Sequence, residues 1–200
     1  MAVEVEKINI AKEIYSKLPK WNIANNLLTK FFKNKSSNYS REDILIKILL
    51  IDSLYKTNLK DPISLAEHIS SLNNLPEEIK SGDSLAVDKV ANFNGKNLLS
   101  FSSKFCHFHN KECYPIYDKY VCVALKNLIG WKDKRTYKNF LEGTDKLREY
   151  NHIQDVSFED LDKYLWLYGI LLNLRSGKKD INLEVKTFYY ANPNKFERLI

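Results

Sequence analysis

The residues with the clearest chemical potential are a lysine and an aspartate, Lys104 and Asp118. Lys104 opens an aromatic run through Phe105 and Phe108. Partial desolvation disfavours the charged form of a lysine and frees a nucleophilic amine, and a carboxylate beside it can take a proton or stabilise a developing cation. The pair therefore predicts covalent catalysis by an amine or, as the plainer alternative, a partly exposed salt bridge at a helix end.

The segment between these two residues must bring them together if they act as a pair. Pro115 fixes its own φ and disfavours helix at Tyr114, so the residues before Asp118 are expected to be extended. Asp118 stands directly before a new apolar-periodic run, which is the usual place for an N-cap. A short helix after Lys104 rises roughly 9 Å at 1.5 Å per residue, and an extended return covers more than that. We therefore expect the two side chains to meet.

Apolar residues recur at helical spacing through nearly the whole chain, with proline or glycine at several of the breaks. This pattern predicts an all-α fold of eight to ten helices. We expect a single domain with two lobes, in which residues 1–40 and 135–200 form one lobe and residues 41–134 form the other.

One of the predicted helices stands out. The segment 41–55 follows a capping-box sequence at Ser40 and is apolar on almost every face. We therefore expect it to be the most buried helix, and we expect Leu49→Ala to cost roughly 2–5 kcal/mol as in a packed core.

Charge and composition narrow the class of protein. The 200-residue chain carries 31 Lys and Arg against 25 Asp and Glu, a net charge of +6. A lysine-rich excess fits contacts with a phosphate backbone better than bidentate reading of bases.

Three cysteines cannot form a closed disulfide framework. No run approaches the ~20 apolar residues of a membrane span, and Glu4 and Glu6 interrupt any secretory signal. We expect a reduced, soluble, cytoplasmic protein with no membrane partner.

Four possible metal ligands lie close together, namely Cys106, His107, His109 and Cys113. Structural zinc usually pairs short knuckles from two separated segments, whereas all four residues here come from one helix end. We expect satisfied histidines and buried free cysteines, with no metal. A cysteine nucleophile would need a base held beside it, and nothing in the sequence orients His109.

Trp131 is the tryptophan that we expect to be most exposed, because it follows Gly130 and precedes a basic run. That run, residues 132–135, is either a solvated loop or a contact with a DNA backbone.

Four segments occur in an order similar to that of a known superfamily: residues 49–58, 99–104, 114–121 and 161–169. The order resembles the helix-hairpin-helix DNA glycosylases, which include 8-oxoguanine glycosylases and endonuclease III-like enzymes. The first segment looks like the buried helix whose end enters DNA, the second like the hairpin with the catalytic lysine, and the third like the segment that delivers the catalytic aspartate. The hairpin glycines of the family are replaced here by Ser100, Ser102 and Ser103. A four-cysteine cluster is missing, so no iron–sulfur cluster is expected.

The resemblance implies a glycosylase-like fold with two lobes and a central cleft. It also implies that the protein acts as a DNA-repair glycosylase, with or without AP-lyase activity. Such an enzyme flips a damaged base, for example an oxidised purine, out of double-stranded DNA and needs no cofactor. Lys104 would attack C1′ and form a Schiff base, and Asp118 would deprotonate the lysine or stabilise positive charge at the sugar. The candidate DNA contacts are Ser100, Ser102, Ser103, Lys119, Tyr55, Thr57 and Asn58.

Two other classes of function fit the same sequence. One is a non-catalytic nucleic-acid-binding module on the same helical scaffold. The other is a helical protein-interaction module in which the lysine and the aspartate are structural.

Overall fold

A computed structural model describes residues 2–35, 39–179 and 181–200, and across these residues the protein is all-α. The helices are α1 (Val5–Ser16), α2 (Pro19–Asn34), α3 (Arg41–Tyr55), α4 (Pro62–Ser71), α5 (Leu75–Ser81), α6 (Leu85–Ala91), α7 (Leu99–His109), α8 (Lys119–Ile129), α9 (Tyr137–Tyr150), α10 (Phe158–Arg175), α11 (Leu183–Ala191) and α12 (Pro193–Glu197). The predicted fold class is confirmed. The described residues form twelve helices, more than the eight to ten expected. Two of them, α5 and α12, are short and carry proline in their first turn, where its missing N–H costs nothing.

A two-stranded antiparallel hairpin interrupts the helices between α6 and α7. It consists of β1 (Asn92–Phe93) and β2 (Lys96–Asn97), with Asn94 and Gly95 in the turn at positive φ. Asn-Gly is the strongest short hairpin signal, because both residues tolerate the left-handed conformation of a tight turn.

Side-chain caps explain where several helices begin. Ser40 accepts a hydrogen bond from the Asp43 amide at 3.2 Å, and Ser157 accepts one from the Asp160 amide at 3.1 Å. Each satisfies an amide that has no partner inside its helix. The cap predicted at the start of α3 is therefore confirmed, and α10 begins in the same way.

The described chain divides into two compact units. The first comprises Met1–Ile23, Asp118–Lys134 and Glu142–Ile200, and the second comprises Ala24–Tyr117 and Arg135–Leu141. The predicted lobes, residues 1–40 with 135–200 and residues 41–134, stay a prediction.

The first unit is built around α10. This helix buries eleven of its eighteen residues and packs chiefly against α8 and α1. Trp131 also belongs to this unit and is 9 % exposed. Its indole lies against Gly143, where an added Cβ would come within 2.5 Å of Trp131 Cδ1. The expectation that Trp131 is exposed is wrong, because the missing side chain of Gly143 makes room for the ring.

The second unit is built around α7, which packs against α6 and α3 and buries nine of its eleven residues. In α3 only Ile44, Lys47, Ile48 and Ile51 are buried. Leu49 is 47 % exposed, so the expectation that α3 is the most buried helix is wrong. An apolar sequence on every face does not identify which face packs.

Among the described residues, no helix has both the length and the apolar character that a bilayer crossing requires.

Candidate functional site

The amine of Lys104 is held at a defined place on α7. Lys104 is 3 % exposed. Its Nζ donates to the main-chain oxygen and to the hydroxyl oxygen of Ser100, each at 2.9 Å. Nζ also lies 5.6 Å from the ring centroid of Tyr55, within the range of a cation–π interaction. A single helix therefore supplies both the amine and two of its acceptors.

Aromatic side chains surround the helix that carries Lys104. Phe105 lies 6.1 Å from Phe32 and 6.1 Å from Phe101, measured between ring centroids. Tyr55 lies 5.9 Å from Phe108. These rings exclude water from the helix, and in such surroundings hydrogen bonds to a charged amine are stronger than in solvent.

Asp118 is the N-cap of α8, as predicted. Its Oδ1 accepts a hydrogen bond from the Tyr120 amide at 2.8 Å, and the residue is half-buried. Lys119 beside it is exposed, with Nζ 4.8 Å from the ring centroid of Tyr120. Asp118 belongs to the first compact unit and Lys104 to the second. The expected meeting of their side chains stays a prediction.

The three serines before Lys104 occupy different surroundings. Ser100 is half-buried, whereas Ser102 and Ser103 are fully buried. The Ser102 hydroxyl donates to the Leu98 main-chain oxygen at 3.1 Å. The Ser103 hydroxyl donates to the Ser100 main-chain oxygen at 3.2 Å and accepts from the Tyr117 amide at 3.0 Å. A phosphate oxygen has no access to a fully buried hydroxyl, so we remove Ser102 and Ser103 from the candidate DNA contacts.

The turn after α3 is ordered by Asp52. Its Oδ1 accepts hydrogen bonds from the Thr57 hydroxyl at 2.6 Å and from the Leu59 amide at 3.1 Å. Lys56 and Asn58 have φ of 51° and 58°, a conformation that costs most residues roughly 1–2 kcal/mol. Both of these side chains are exposed. The turn that the resemblance predicts to enter DNA is therefore an ordered surface turn that follows Tyr55.

Sequence reasoning missed a second buried amine, that of Lys47 on α3. Lys47 has no exposed surface, and its Nζ donates to the Lys35 main-chain oxygen at 2.9 Å. It lies 4.9 Å from the ring centroid of Tyr39 and 5.5 Å from that of Phe32. Burial lowers the pKa of Lys47 to about 8. The buried face of α3 passes through Ile44, Ile48 and Ile51, and position 47 at helical spacing from two of these is the signal that could have identified it.

His109 shares the aromatic surroundings of Lys47. Its ring stacks on Tyr39 at 4.9 Å between centroids, and its Nδ1 lies 3.1 Å from the Tyr39 hydroxyl oxygen. Burial, and secondarily the charge of Lys47, holds the pKa of His109 well below its usual value. The imidazole is therefore neutral at physiological pH.

The cysteines and histidines at the end of α7 have separate surroundings. His107 Nδ1 lies 2.7 Å from the Tyr114 main-chain oxygen. All three cysteines are thiols outside any disulfide, and burial raises the pKa of the Cys106 thiol, which disfavours the thiolate that a nucleophile requires. Within the part of the chain that the structure describes, no three His, Cys, Asp or Glu side chains are grouped as metal ligands.

Comparison with known proteins identifies a family. The model of the family HI_0787_N, described as an N-terminal domain, matches residues 4–113, a range that includes Lys104 and ends before Asp118. A curated relative from Haemophilus influenzae, named there as an uncharacterized protein, is 31% identical over 140 residues, which are 64% of this chain and 67% of the relative. No solved structure matches the chain significantly. The extent of the family match shows that the chain belongs to the HI_0787_N family.

Proposed function

We propose that the protein is a DNA-repair glycosylase of the helix-hairpin-helix type that excises a damaged base from double-stranded DNA, with Lys104 as its nucleophile. The observation that carries this proposal is the environment of Lys104, whose amine is buried, bonded to Ser100 and placed against the Tyr55 ring. A lysine kept from bulk water on a rigid helix is suited to attack an electrophilic carbon. The order of the motifs along the chain and the net charge of +6 support DNA as the substrate.

The proposed reaction forms a bond between Lys104 Nζ and C1′ of the damaged nucleotide. Nζ first loses a proton and attacks C1′, and the base leaves with the electrons of the glycosidic bond and is protonated. The nitrogen then loses a second proton, and its lone pair expels O4′, which takes up a proton, to leave an iminium. Loss of a C2′ proton from this iminium permits elimination of the 3′ phosphate. Asp118, as the resemblance implies, accepts the first proton or stabilises positive charge at the sugar.

Substrate access requires that groups covering Lys104 move. Base flipping begins with contact to the DNA backbone. Tyr55 covers the amine and leads directly into the ordered turn of Thr57 and Asn58. We therefore retain Tyr55, Thr57, Asn58, Ser100 and Lys119 as the proposed DNA contacts.

Borohydride trapping on duplexes that carry different lesions tests the proposal. The wild-type protein is expected to form a covalent adduct with at least one lesion, and Lys104→Gln is expected to form none while it binds DNA within a few-fold of wild type. One lysine contributes only a small part of a multi-phosphate electrostatic interaction. The matched control is Lys30→Gln, which removes an exposed lysine from α2 and should trap normally. No wild-type adduct with any lesion, or an undiminished adduct in Lys104→Gln, would refute the assignment.

Asp118→Asn tests the second assigned residue. Asparagine caps helices as well as aspartate does, so the variant should fold with a stability close to wild type. Base release should be slower by roughly two or more orders of magnitude, because charge stabilisation acts mainly in the transition state. Release at the wild-type rate would show that Asp118 is only a helix cap.

A non-catalytic nucleic-acid-binding module is the second candidate function. The replacement of the family's hairpin glycines by Ser100, Ser102 and Ser103 favours it over the glycosylase, since those glycines let backbone amides approach a phosphate and the module keeps the helical scaffold without the hairpin. Salt-dependent DNA binding without any trapped adduct would be the result that this alternative predicts.

A further inference from the structure

We propose that Ser100 is the positioning residue of Lys104, and that its hydroxyl keeps Nζ in one place whether the amine is charged or neutral. This inference rests on the proposed nucleophilic role of Lys104 and deepens it. It gives Ser100 a role toward the reacting amine, in addition to its candidate role as a DNA contact.

The geometry around Ser100 differs from that of its neighbours on α7. A serine inside a helix commonly donates its hydroxyl to a main-chain oxygen of the preceding turn. Ser102 and Ser103 do so, toward Leu98 and Ser100. The Ser100 hydroxyl oxygen instead accepts from Lys104 Nζ at 2.9 Å, and the Ser100 main-chain oxygen accepts from the same Nζ at 2.9 Å. The main-chain oxygen and the hydroxyl oxygen of Ser100 therefore both bond the Lys104 amine, from one helical turn before it.

The two acceptors of Ser100 can both stay bonded when Nζ loses a proton. A neutral amine keeps two N–H groups, and the main-chain oxygen and the hydroxyl oxygen can each accept from one of them. The lone pair of the amine then points away from both acceptors, and it is this lone pair that attacks C1′. Without the hydroxyl, the amine keeps one of these two bonds and can turn about it.

This property matters because a nucleophile must be aimed after it is deprotonated. A lysine has four rotatable side-chain bonds and loses much of its orientation once its hydrogen bonds break. Small errors in the placement of a reacting atom reduce the rate by large factors. The Ser100 hydroxyl prevents such a loss at the step where Lys104 becomes reactive.

Single-turnover trapping over a range of pH separates positioning from a purely structural role. Ser100→Ala is expected to slow adduct formation at least tenfold and to displace the midpoint of its pH profile, while the thermal midpoint changes little. Ser100→Thr, which keeps a hydroxyl, should recover most of the rate. The matched control is Ser102→Ala, which removes a hydroxyl of the same helix that bonds to Leu98 and should leave the pH profile unchanged. Equal rates and profiles for Ser100→Ala and wild type would overturn the inference.

A measurement without DNA keeps the inference distinct from the proposed function. Reductive methylation with formaldehyde and dimethylamine–borane, followed by peptide mass mapping, reports how well the Lys104 amine is held. Lys104 should be methylated several-fold faster in Ser100→Ala than in wild type or Ser102→Ala. If this difference is found while no lesion gives an adduct, the proposed function fails and the hold of Ser100 on Lys104 stands. If the methylation rates are equal, the inference fails whatever the trapping shows.

Discussion

Gly169 in α10 lies so close to the main-chain oxygen of Tyr120 in α8 that a Cβ at position 169 would stand 2.0 Å from that oxygen. The two helices form the most extensive packing of the first compact unit, and the absence of a side chain at residue 169 lets their backbones approach. A backbone oxygen cannot rotate away as the end of a flexible side chain can. The contact therefore sets the spacing of the two helices.

Gly169→Ala is accordingly expected to destabilise the protein strongly. The methyl group forces α8 and α10 apart, and overpacking of this kind costs typically 1–3 kcal/mol and occasionally more. Urea denaturation should show a loss at the upper end of that range or beyond. Gly143→Ala provides the comparison, because its neighbour is the side chain of Trp131, which can shift. A cost for Gly169→Ala no larger than that for Gly143→Ala would contradict this account.

Leu49→Ala is expected to cost less than about 1 kcal/mol, because nearly half of Leu49 is already in solvent. Ile48→Ala, one residue earlier on the same helix, removes a side chain with no exposed surface and should cost roughly 2–5 kcal/mol. Urea denaturation of the two variants checks both values. The reverse order of costs would mean that α3 packs through its other face.

The comparison of Leu49 with Ile48 shows why the sequence predicted α3 but not its orientation. Its start at Ser40 was predictable because capping depends on local residue types. Its buried face was not predictable, since isoleucine and leucine occur on every side and the partners are distant in the chain. The same holds for Trp131, which is buried because Gly143 lies against it in the folded structure.

The candidate site shows the same division between local and distant causes. The helix around Lys104 and the cap at Asp118 follow from residues within a few positions of each. The burial of Lys104 and of Ser103 depends on packing against other helices, and no local pattern reports this. The buried Lys47 was within reach of the helical period, but a lysine in an apolar run is easily taken for a side chain that reaches solvent.

Lys47 is expected to make stability depend on pH between about 8 and 10.5. Its pKa is lowered to about 8 in the folded protein by burial, with Asp43 acting in the opposite sense and Lys35 in the same sense. Between these pH values the unfolded chain binds more protons, so the free energy of unfolding contributed by this group rises with pH. The rise in the free energy of unfolding is on the order of 2 kcal/mol. Each pKa unit corresponds to about 1.4 kcal/mol, and relaxation of the structure around the lysine reduces the total below the full product.

Urea denaturation at pH 7, 8, 9 and 10 measures this contribution as a difference between variants. The free energy of unfolding of wild type minus that of Lys47→Met should increase over this range, because the variant lacks the titrating amine. Lys30→Met removes an exposed lysine and should give a curve parallel to wild type. Parallel curves for Lys47→Met and wild type would show that Lys47 titrates alike in the folded and unfolded chain.

Asp52→Ala is expected to loosen the turn that follows α3. It removes the acceptor of the Thr57 hydroxyl and of the Leu59 amide, and hydrogen bonds to a charged group are worth about 1.5–3 kcal/mol each when buried. Since Asp52 is half-buried, we expect a total loss of roughly 1–3 kcal/mol. Hydrogen exchange of the Leu59 amide should accelerate more than exchange of the amides within α3.

Two further variants distinguish loss of this acceptor from general damage to α3. Asp52→Asn keeps an oxygen that can accept both bonds and should lose less than about 1 kcal/mol. Lys56→Gly in the Asp52→Ala background should restore roughly 1 kcal/mol, because glycine adopts the left-handed conformation of residue 56 without strain. If the turn also enters DNA, Asp52→Ala should weaken DNA binding although Asp52 itself need not touch the duplex, and Asp52→Asn should not. Equal stability and equal Leu59 exchange in Asp52→Ala and wild type would show that the turn keeps its shape without the carboxylate.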